Sequence, residues 1–163
     1  MHPVAYAGVK NTHKLTLRRK IDEGNNCFTF VFTSPQSLTW SAGQHGIFYF
    51  DTLALFSKNW RAFSIASSAH EQVVMISTLI GENPSDFKKR LTGLETGDHI
   101  TMRGPFGEFR TTKKMKQIVG VAGGIGITPF RSILSAISAG IIQNIEIELI
   151  YAGKNNYFAF KEE

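Results

Sequence analysis

The chain has 163 residues, enough for one good core or for a small domain joined to part of another. Its net charge of +5 and pI near 9.4 favour anionic partners: phosphates, a nucleotide, an acidic protein or nucleic acid. A single cysteine, Cys27, excludes a disulfide framework and a cysteine-ligated iron–sulfur cluster within the chain, and the five histidines show no metal-ligand spacing.

Residues 1–12 read as a loose lead-in. From His13 to Ile21 the alternation Lys14-Leu15-Thr16-Leu17-Arg18 predicts a first strand, ended by the turn chemistry of Asp22-Glu23-Gly24-Asn25-Asn26. Cys27–Phe32 is the second, with Phe28, Phe30 and Phe32 on one face and Cys27 as a buried, inert thiol. Trp40-Ser41-Ala42-Gly43-Gln44-His45-Gly46 leads into a third at 47–50. The fourth, 61–66, puts Arg61 and Phe63 on one face and Ala62 and Ser64 on the other. A guanidinium suits a phosphate, and an aromatic face suits a flat heterocycle. Strands at Gln72–Ile80 and Asp98–Met102 bring the number to six. Short strands separated by turns predict a closed antiparallel barrel.

One helical insert, Asn83-Pro84-Ser85-Asp86-Phe87-Lys88-Lys89-Arg90-Leu91, interrupts them. Asn83 is the expected cap and Pro84 the first helical residue, leaving the Ser85 amide free at the positive end of the helix dipole, a ready anion site. An ordinary capped helix plugging one end of the barrel is the alternative.

After Phe109 a polar linker, Arg110-Thr111-Thr112-Lys113-Lys114, marks a change of composition. Lys116–Val121 reads as a buried parallel strand, followed by Ala122-Gly123-Gly124-Ile125-Gly126-Ile127-Thr128-Pro129. A helix from Pro129 to about Ala139, with Phe130, Ile133, Leu134 and Ile137 on one face, ends at Gly140. Glu146–Tyr151 completes a βαβ unit. Gly124, Gly126 and Pro129 occupy the positions of the three glycines in a G-x-G-x-x-G turn. The first two allow a tight turn and close approach of a diphosphate to backbone amides. Thr128 is the expected helix cap and Pro129 its first residue. The dinucleotide fingerprint also wants an acid closing the second strand. Here that end reads Tyr151-Ala152-Gly153-Lys154, which counts against an ordinary NAD dehydrogenase.

Arg61-Ala62-Phe63-Ser64, Gly104-Pro105-Phe106-Gly107 and Gly123 to Pro129, in this order and at this spacing, resemble the ferredoxin–NADP reductase superfamily of flavoproteins. The likeness runs from about Lys14 to the last residue. It implies a six-stranded antiparallel FAD-binding barrel (1–112) followed by an incomplete Rossmann-like βαβ unit that begins an NAD(P)-binding domain (113–163). By this resemblance Arg61 neutralises the diphosphate of FAD, Phe63 stacks on the isoalloxazine and Ser64 offers its hydroxyl near N5. Thr128 lies close to the flavin ring where nicotinamide stacks, so Ser64 and Thr128 are the catalytic candidates. Gly81 and Ser85 receive the diphosphate, and Ala62, Thr78 and Ile80 complete the flavin set. Gly123, Gly124, Gly126 and Pro129 belong to the nicotinamide dinucleotide. His45 falls near the flavin's sugar chain, where a core or turn histidine is an equal alternative. The chain departs from the family at Ala42, where proline is common, and in spacing Gly81 one residue further from Ser85. It also has Phe63 in place of the more frequent tyrosine, which keeps the stacking surface but loses one hydrogen bond. FAD is favoured over FMN because Arg61 and Ser85 together read as a diphosphate site.

Flavin chemistry asks the protein mainly to hold the cofactor, exclude water and align a hydride donor. The implied reaction is oxidation of NAD(P)H by bound FAD, with electrons leaving to a separate acceptor: a ferredoxin, an oxygenase component, a ferric chelate, a haem protein or a quinone. NADH versus NADPH stays open, with Lys154 near the discriminating position. The family's nucleotide domain has about five parallel strands and this chain has two, so a fragment with impaired turnover is expected. One rival keeps the fold but makes it a flavin-binding electron-relay or regulatory subunit. Another is a basic barrel binding nucleic acid, against which the aromatics fall on strand-interior positions. No apolar run reaches the roughly 18 residues of a membrane span and no secretory signal is evident, so a cytoplasmic setting is expected.

Overall fold

In the computed structural model, which describes residues 11–50, 59–153 and 159–160, six antiparallel strands come first. They are β1 (Thr12–Gly24), β2 (Cys27–Thr33), β3 (His45–Tyr49), β4 (Trp60–Ser64), β5 (Val73–Leu79) and β6 (His99–Phe106). Helix α1 (Asp86–Thr92) sits between β5 and β6. Then come β7 (Gln117–Gly123), a 3₁₀ turn (Gly124–Ile127), α2 (Thr128–Ser138) and β8 (Glu146–Ala152).

The first sheet has the order β4-β3-β6-β1-β2-β5 and folds its apolar face inward. Alternate residues supply the core: Leu15 and Leu17, Phe30 and Phe32, Val74 and Ile76, Ile100 and Met102, with Phe48 from β3. Phe87 and Leu91, four apart on α1, plug one end. The barrel is not closed, contrary to expectation: β4 and β5 remain edges of the sheet. Ala66 donates its N–H to Met75 O across the seam at 2.8 Å. Beside it the Ser67 hydroxyl donates to Val73 O (2.6 Å) and accepts from Met75 N–H (3.0 Å), taking the place of a backbone ladder. A side chain that satisfies an edge backbone removes the need for a paired strand.

α1 starts later than predicted. Its N-cap is Ser85, whose Oγ accepts from Lys88 N–H at 3.5 Å, so Asn83 does not cap it and Pro84 precedes it. Asparagine and serine cap about equally well, and local sequence does not choose between them.

β7 and β8 are parallel, in register from Gln117↔Glu146 to Gly123↔Ala152. α2 covers one face, where a Cβ on Gly120 would lie 2.5 Å from the Phe130 ring. On the other face Val119, Val121 and Ile150 are exposed. The buried strand predicted at 116–121 is therefore covered on one side only among the described residues. α2 grows straight out of the 3₁₀ turn, with Ile127 at the N-cap and Pro129 as its second residue. The expected Thr128 cap is absent because Thr128 is already helical, and its Oγ1 donates to Ile125 O at 2.6 Å. Gly140, at φ +71°, follows the last turn as predicted. Cys27 is fully buried in the second core beside Ala122, Ile127 and Phe130.

Candidate functional site

β4 pairs with β3 so that Arg61 stands opposite Phe48 and Phe63 opposite Gly46. Opposed residues share a face, so Arg61 and Phe63 lie together on the core side, as strand alternation predicts. The Phe63 ring meets Phe48 edge-on at 5.7 Å and Phe87 of α1 at 5.9 Å. The Arg61 guanidinium carbon lies 5.8 Å from the centre of the same Phe87 ring, and Arg61 Nη1 donates to Trp60 O at 2.7 Å. Both residues thus converge on the first turn of α1, next to Ser85.

A second cation stands there that the sequence reading missed. Lys88 Nζ donates to Leu79 O at 2.5 Å, tying α1 to the end of β5. Burial, and then the nearby Arg61 charge, hold its pKa below the ordinary lysine value. A lysine in the first turn of a helix opposes the helix dipole, which is the signal that could have found it. α1 has only seven residues, so the fixed charges of Arg61 and Lys88, more than the dipole, make this corner attractive to an anion. At the same strand end Thr78 is buried, with Oγ1 3.4 Å from Leu79 O, and Ile80 N–H donates to Asn26 O. Gly81 is exposed, and a Cβ there would meet nothing within 4 Å.

On the opposite face of the β3–β4 pair, His45 stands across from Ser64, and Ile47 across from Ala62. His45 is half-buried, with its ring centre 6.1 Å from that of Phe106. Burial lowers its pKa, so the imidazole is neutral at pH 7. Only glycine fits at 107: its φ is +101° and a Cβ would lie 2.7 Å from His45 Nδ1. Gln44 Nε2 donates to Gly107 O at 3.1 Å and Gln44 Oε1 accepts from Ser41 N–H at 2.9 Å, locking the two turns around the Ser64 end of β4.

The glycine turn closes the carboxyl end of β7, where open α/β sheets bind ligands. A Cβ at Gly123, Gly124 or Gly126 would meet nothing within 4 Å, so internal packing does not demand glycine there and space stands open over the turn. Gly124 alone of the three needs a left-handed backbone, at φ +49°. Tyr151 was also missed: its hydroxyl donates to Gly124 O at 3.0 Å and accepts from Ala159 N–H at 3.1 Å, clasping the turn from the end of β8. Thr128 is buried, and Lys154 lies outside the described residues. A cavity of about 730 Å³ lined by Arg131, Ser135, Tyr151 and Phe160 contains none of the predicted site residues.

The predicted residues therefore fall into neighbouring sets. Arg61 and Phe63 approach Phe87 of α1, two residues after Ser85, while Thr78, Ile80 and Gly81 flank Leu79, whose carbonyl accepts from Lys88. His45, Ala62 and Ser64 share the other face, and Gly123, Gly124, Gly126, Thr128 and Pro129 form the turn into α2. The donor set at α1, two cations beside an aromatic ring, fits a diphosphate joined to a flat heterocycle. The open glycine turn fits a second diphosphate. Among the described residues no group of three His, Cys, Asp or Glu side chains could hold a metal, and no helix is long and apolar enough to cross a membrane.

No family model matches the chain. It is 37% identical over 68 residues to NADH-cytochrome b5 reductase 1 of Meyerozyma guilliermondii, covering 41% of this chain and 24% of that protein. It is 33% identical over 81 residues to a component of the Na(+)-translocating NADH-quinone reductase of Pasteurella multocida, covering 44% of this chain and 20% of that component. The chain thus spans about a quarter or less of the length of the curated relatives it matches. In fold it resembles the ferredoxin-NADP+ reductase of Plasmodium falciparum, with a TM-score of 0.79 at 21% identity over 94% of this chain and 64% of that one. It also resembles phthalate dioxygenase reductase, with a TM-score of 0.76 at 21% identity over 93% and 47%. Over most of its length the chain thus has the fold of these two reductases, with local sequence likeness to NADH-dependent reductases over about two fifths of it.

Proposed function

We propose that the chain binds FAD on the six-stranded sheet and serves in an NAD(P)H-dependent oxidoreductase that passes electrons to a separate acceptor. Residues 1–112 are assigned to the flavin domain and 113–163 to the nicotinamide side. The observation that carries this reading is the convergence of Arg61 and Phe63 on the first turn of α1, 5.8 Å and 5.9 Å from the Phe87 ring. Arg61 and the amides around Ser85 bind the diphosphate, and Phe63 supports the ring system. Ser64 holds its hydroxyl at the reacting edge, with neutral His45 opposite it. The glycine turn would receive the diphosphate of NAD(P)H, with Thr128, buried at the start of α2, holding the turn's backbone through Ile125 O. When bound, FAD would supply the redox chemistry between a nicotinamide donor and the acceptor, with Arg61, Phe63 and the amides around Ser85 holding it. The relatives named above act on NADH, which supports a nicotinamide donor here. A nucleic-acid role finds no support, since Phe30, Phe32 and Phe48 are fully buried and offer no stacking platform.

Purification in the presence of FAD tests the reading. A yellow protein with a flavin spectrum that dithionite bleaches is the expected outcome, and a colourless protein that FAD does not colour would remove its basis.

A further inference from the structure

β1 breaks its alternation at one point, and the break gathers charge. Leu17 faces Phe32 of β2 and Arg19 faces Val31, so Arg18 is an extra residue, the bulge between them. Regular alternation would put Arg19 on the core side with Leu15 and Leu17. The bulge instead turns Arg19 outward, onto the face of Val31, which in turn stands opposite Met75 of β5. Lys20 goes inward to the barrel end, where its Nζ donates to Thr92 O at 2.6 Å. Arg18 and Arg19 are both exposed and line one hollow of about 480 Å³, floored by Val31, Val73 and Met75. Its far wall is the Arg131–Glu71 pair, whose charges answer each other at 2.7 Å. Among the described residues Arg18 and Arg19 make no ion pair, so their two charges are the hollow's excess. Keeping Arg19 out of the core accounts for the bulge. It does not account for two guanidiniums lining one hollow, where like charges repel.

We propose that this hollow is a binding site for a phosphate monoester, separate from the α1 corner and from the glycine turn. Two neighbouring guanidiniums offer N–H donors from several directions. The tetrahedral oxygens of a phosphate accept from both forks, whereas a planar carboxylate is filled by one. A monoester dianion also matches the excess of two positive charges. The hollow is larger than a phosphate group, and its apolar floor leaves room for the organic part of an ester. None of Arg18, Arg19, Val31 and Met75 is among the residues assigned to FAD or NAD(P)H, so the site stands apart from the flavin reading.

The test is titration of the full chain with phenyl phosphate at about pH 8, where a phosphate monoester is fully ionised, followed by amide NMR shifts. Saturable shifts at Arg18, Arg19, Val31 and Met75, fitting one dissociation constant, are expected. Signals around Ser85 and Gly124 report separately on the other two corners. Benzoate, which has the ring but a single carboxylate charge, should bind at least about tenfold more weakly, a comparison that needs no variant to fold. Replacing both arginines, Arg18→Gln with Arg19→Gln, should weaken phenyl phosphate at least about tenfold as read at Val31 and Met75. No shifts at the four residues, equal affinity for benzoate, or unchanged affinity in the double variant would overturn the proposal.

Discussion

Arg131 Nη1 lies 2.7 Å from Glu71 Oε2, joining α2 to the short helical turn that follows β4 and so tying the parallel sheet to the antiparallel one. Both side chains are largely buried, at 13% and 18% exposure, and the carboxylate also accepts from Ser135 Oγ and from Ser68 N–H. Alongside, Ser132 Oγ donates to Ser67 O at 2.8 Å. Removing one partner leaves the other charge buried without its ion pair. Arg131→Met should therefore lower stability by about 3 kcal/mol in denaturant titration. Burial raises the Glu71 pKa, but the Arg131 and Ser68 hydrogen bonds and the Arg131 charge outweigh it, and the net shift is downward. A carboxyl with a depressed folded pKa stabilises above its unfolded value of 4.5 and loses that contribution as pH falls through the folded value. The stability gap between the unaltered protein and Glu71→Gln should accordingly narrow below about pH 4.

His45 gives a second, separable pH dependence. Its folded pKa lies below 6.5 because burial disfavours the imidazolium. The unfolded chain then takes up the proton first, so stability is full above 6.5 and declines as pH falls through it. Between about pH 7.5 and pH 5.5 the unaltered protein should lose more stability than His45→Gln, measured by urea unfolding at each pH. Equal slopes would show that the imidazole is not desolvated in the fold.

Gly43 and Phe109 set the geometry around the same corner. At Gly43, φ is +94° and a Cβ would fall 2.1 Å from Phe109 O, a backbone atom that cannot step aside. Gly43→Ala is expected to cost about 3 kcal/mol, combining a strained backbone with a steric clash, and to lower the thermal midpoint. Gly81→Ala, with open space around its Cβ, serves as the silent comparison.

Much of this arrangement was legible in the sequence, for identifiable reasons. Strand periodicity placed Arg61 and Phe63 on one face, and the structure puts them there. Phe28, Phe30 and Phe32 likewise point to one core, two of them fully buried. What was not legible depends on side-chain partnerships that propensity does not specify. The barrel stays open because the Ser67 hydroxyl satisfies β5, a partnership between residues six and eight apart that no local propensity encodes. The α1 cap falls at Ser85 rather than Asn83 because both residues are competent caps. Thr128 is helical because the glycine turn coils into α2 without a break. Lys88 and Tyr151 escaped notice since lysine on a short helix and tyrosine on a strand are ordinary, and their partners, Leu79 O and Gly124 O, are backbone atoms.

Tyr151 clasps the turn that is assigned to the nicotinamide nucleotide. Tyr151→Phe removes the hydrogen bond to Gly124 O while keeping the ring's packing. A loss of about 1 kcal/mol in turn rigidity should weaken NADH binding severalfold and leave FAD affinity unchanged. Equilibrium binding of NADH to the FAD-loaded protein reads this directly. An unchanged NADH affinity would separate Tyr151 from the nucleotide site.

Arg61 and its neighbours on α1 are proposed to hold a flavin diphosphate. Titration of flavin-free protein with FAD, comparing the unaltered chain with Arg61→Met, tests it most directly. Saturable one-to-one binding that weakens at least about thirtyfold in the variant is the predicted result, from loss of a charge-assisted contact at a partly desolvated site. FAD binding of equal strength to both proteins, or to neither, would contradict it.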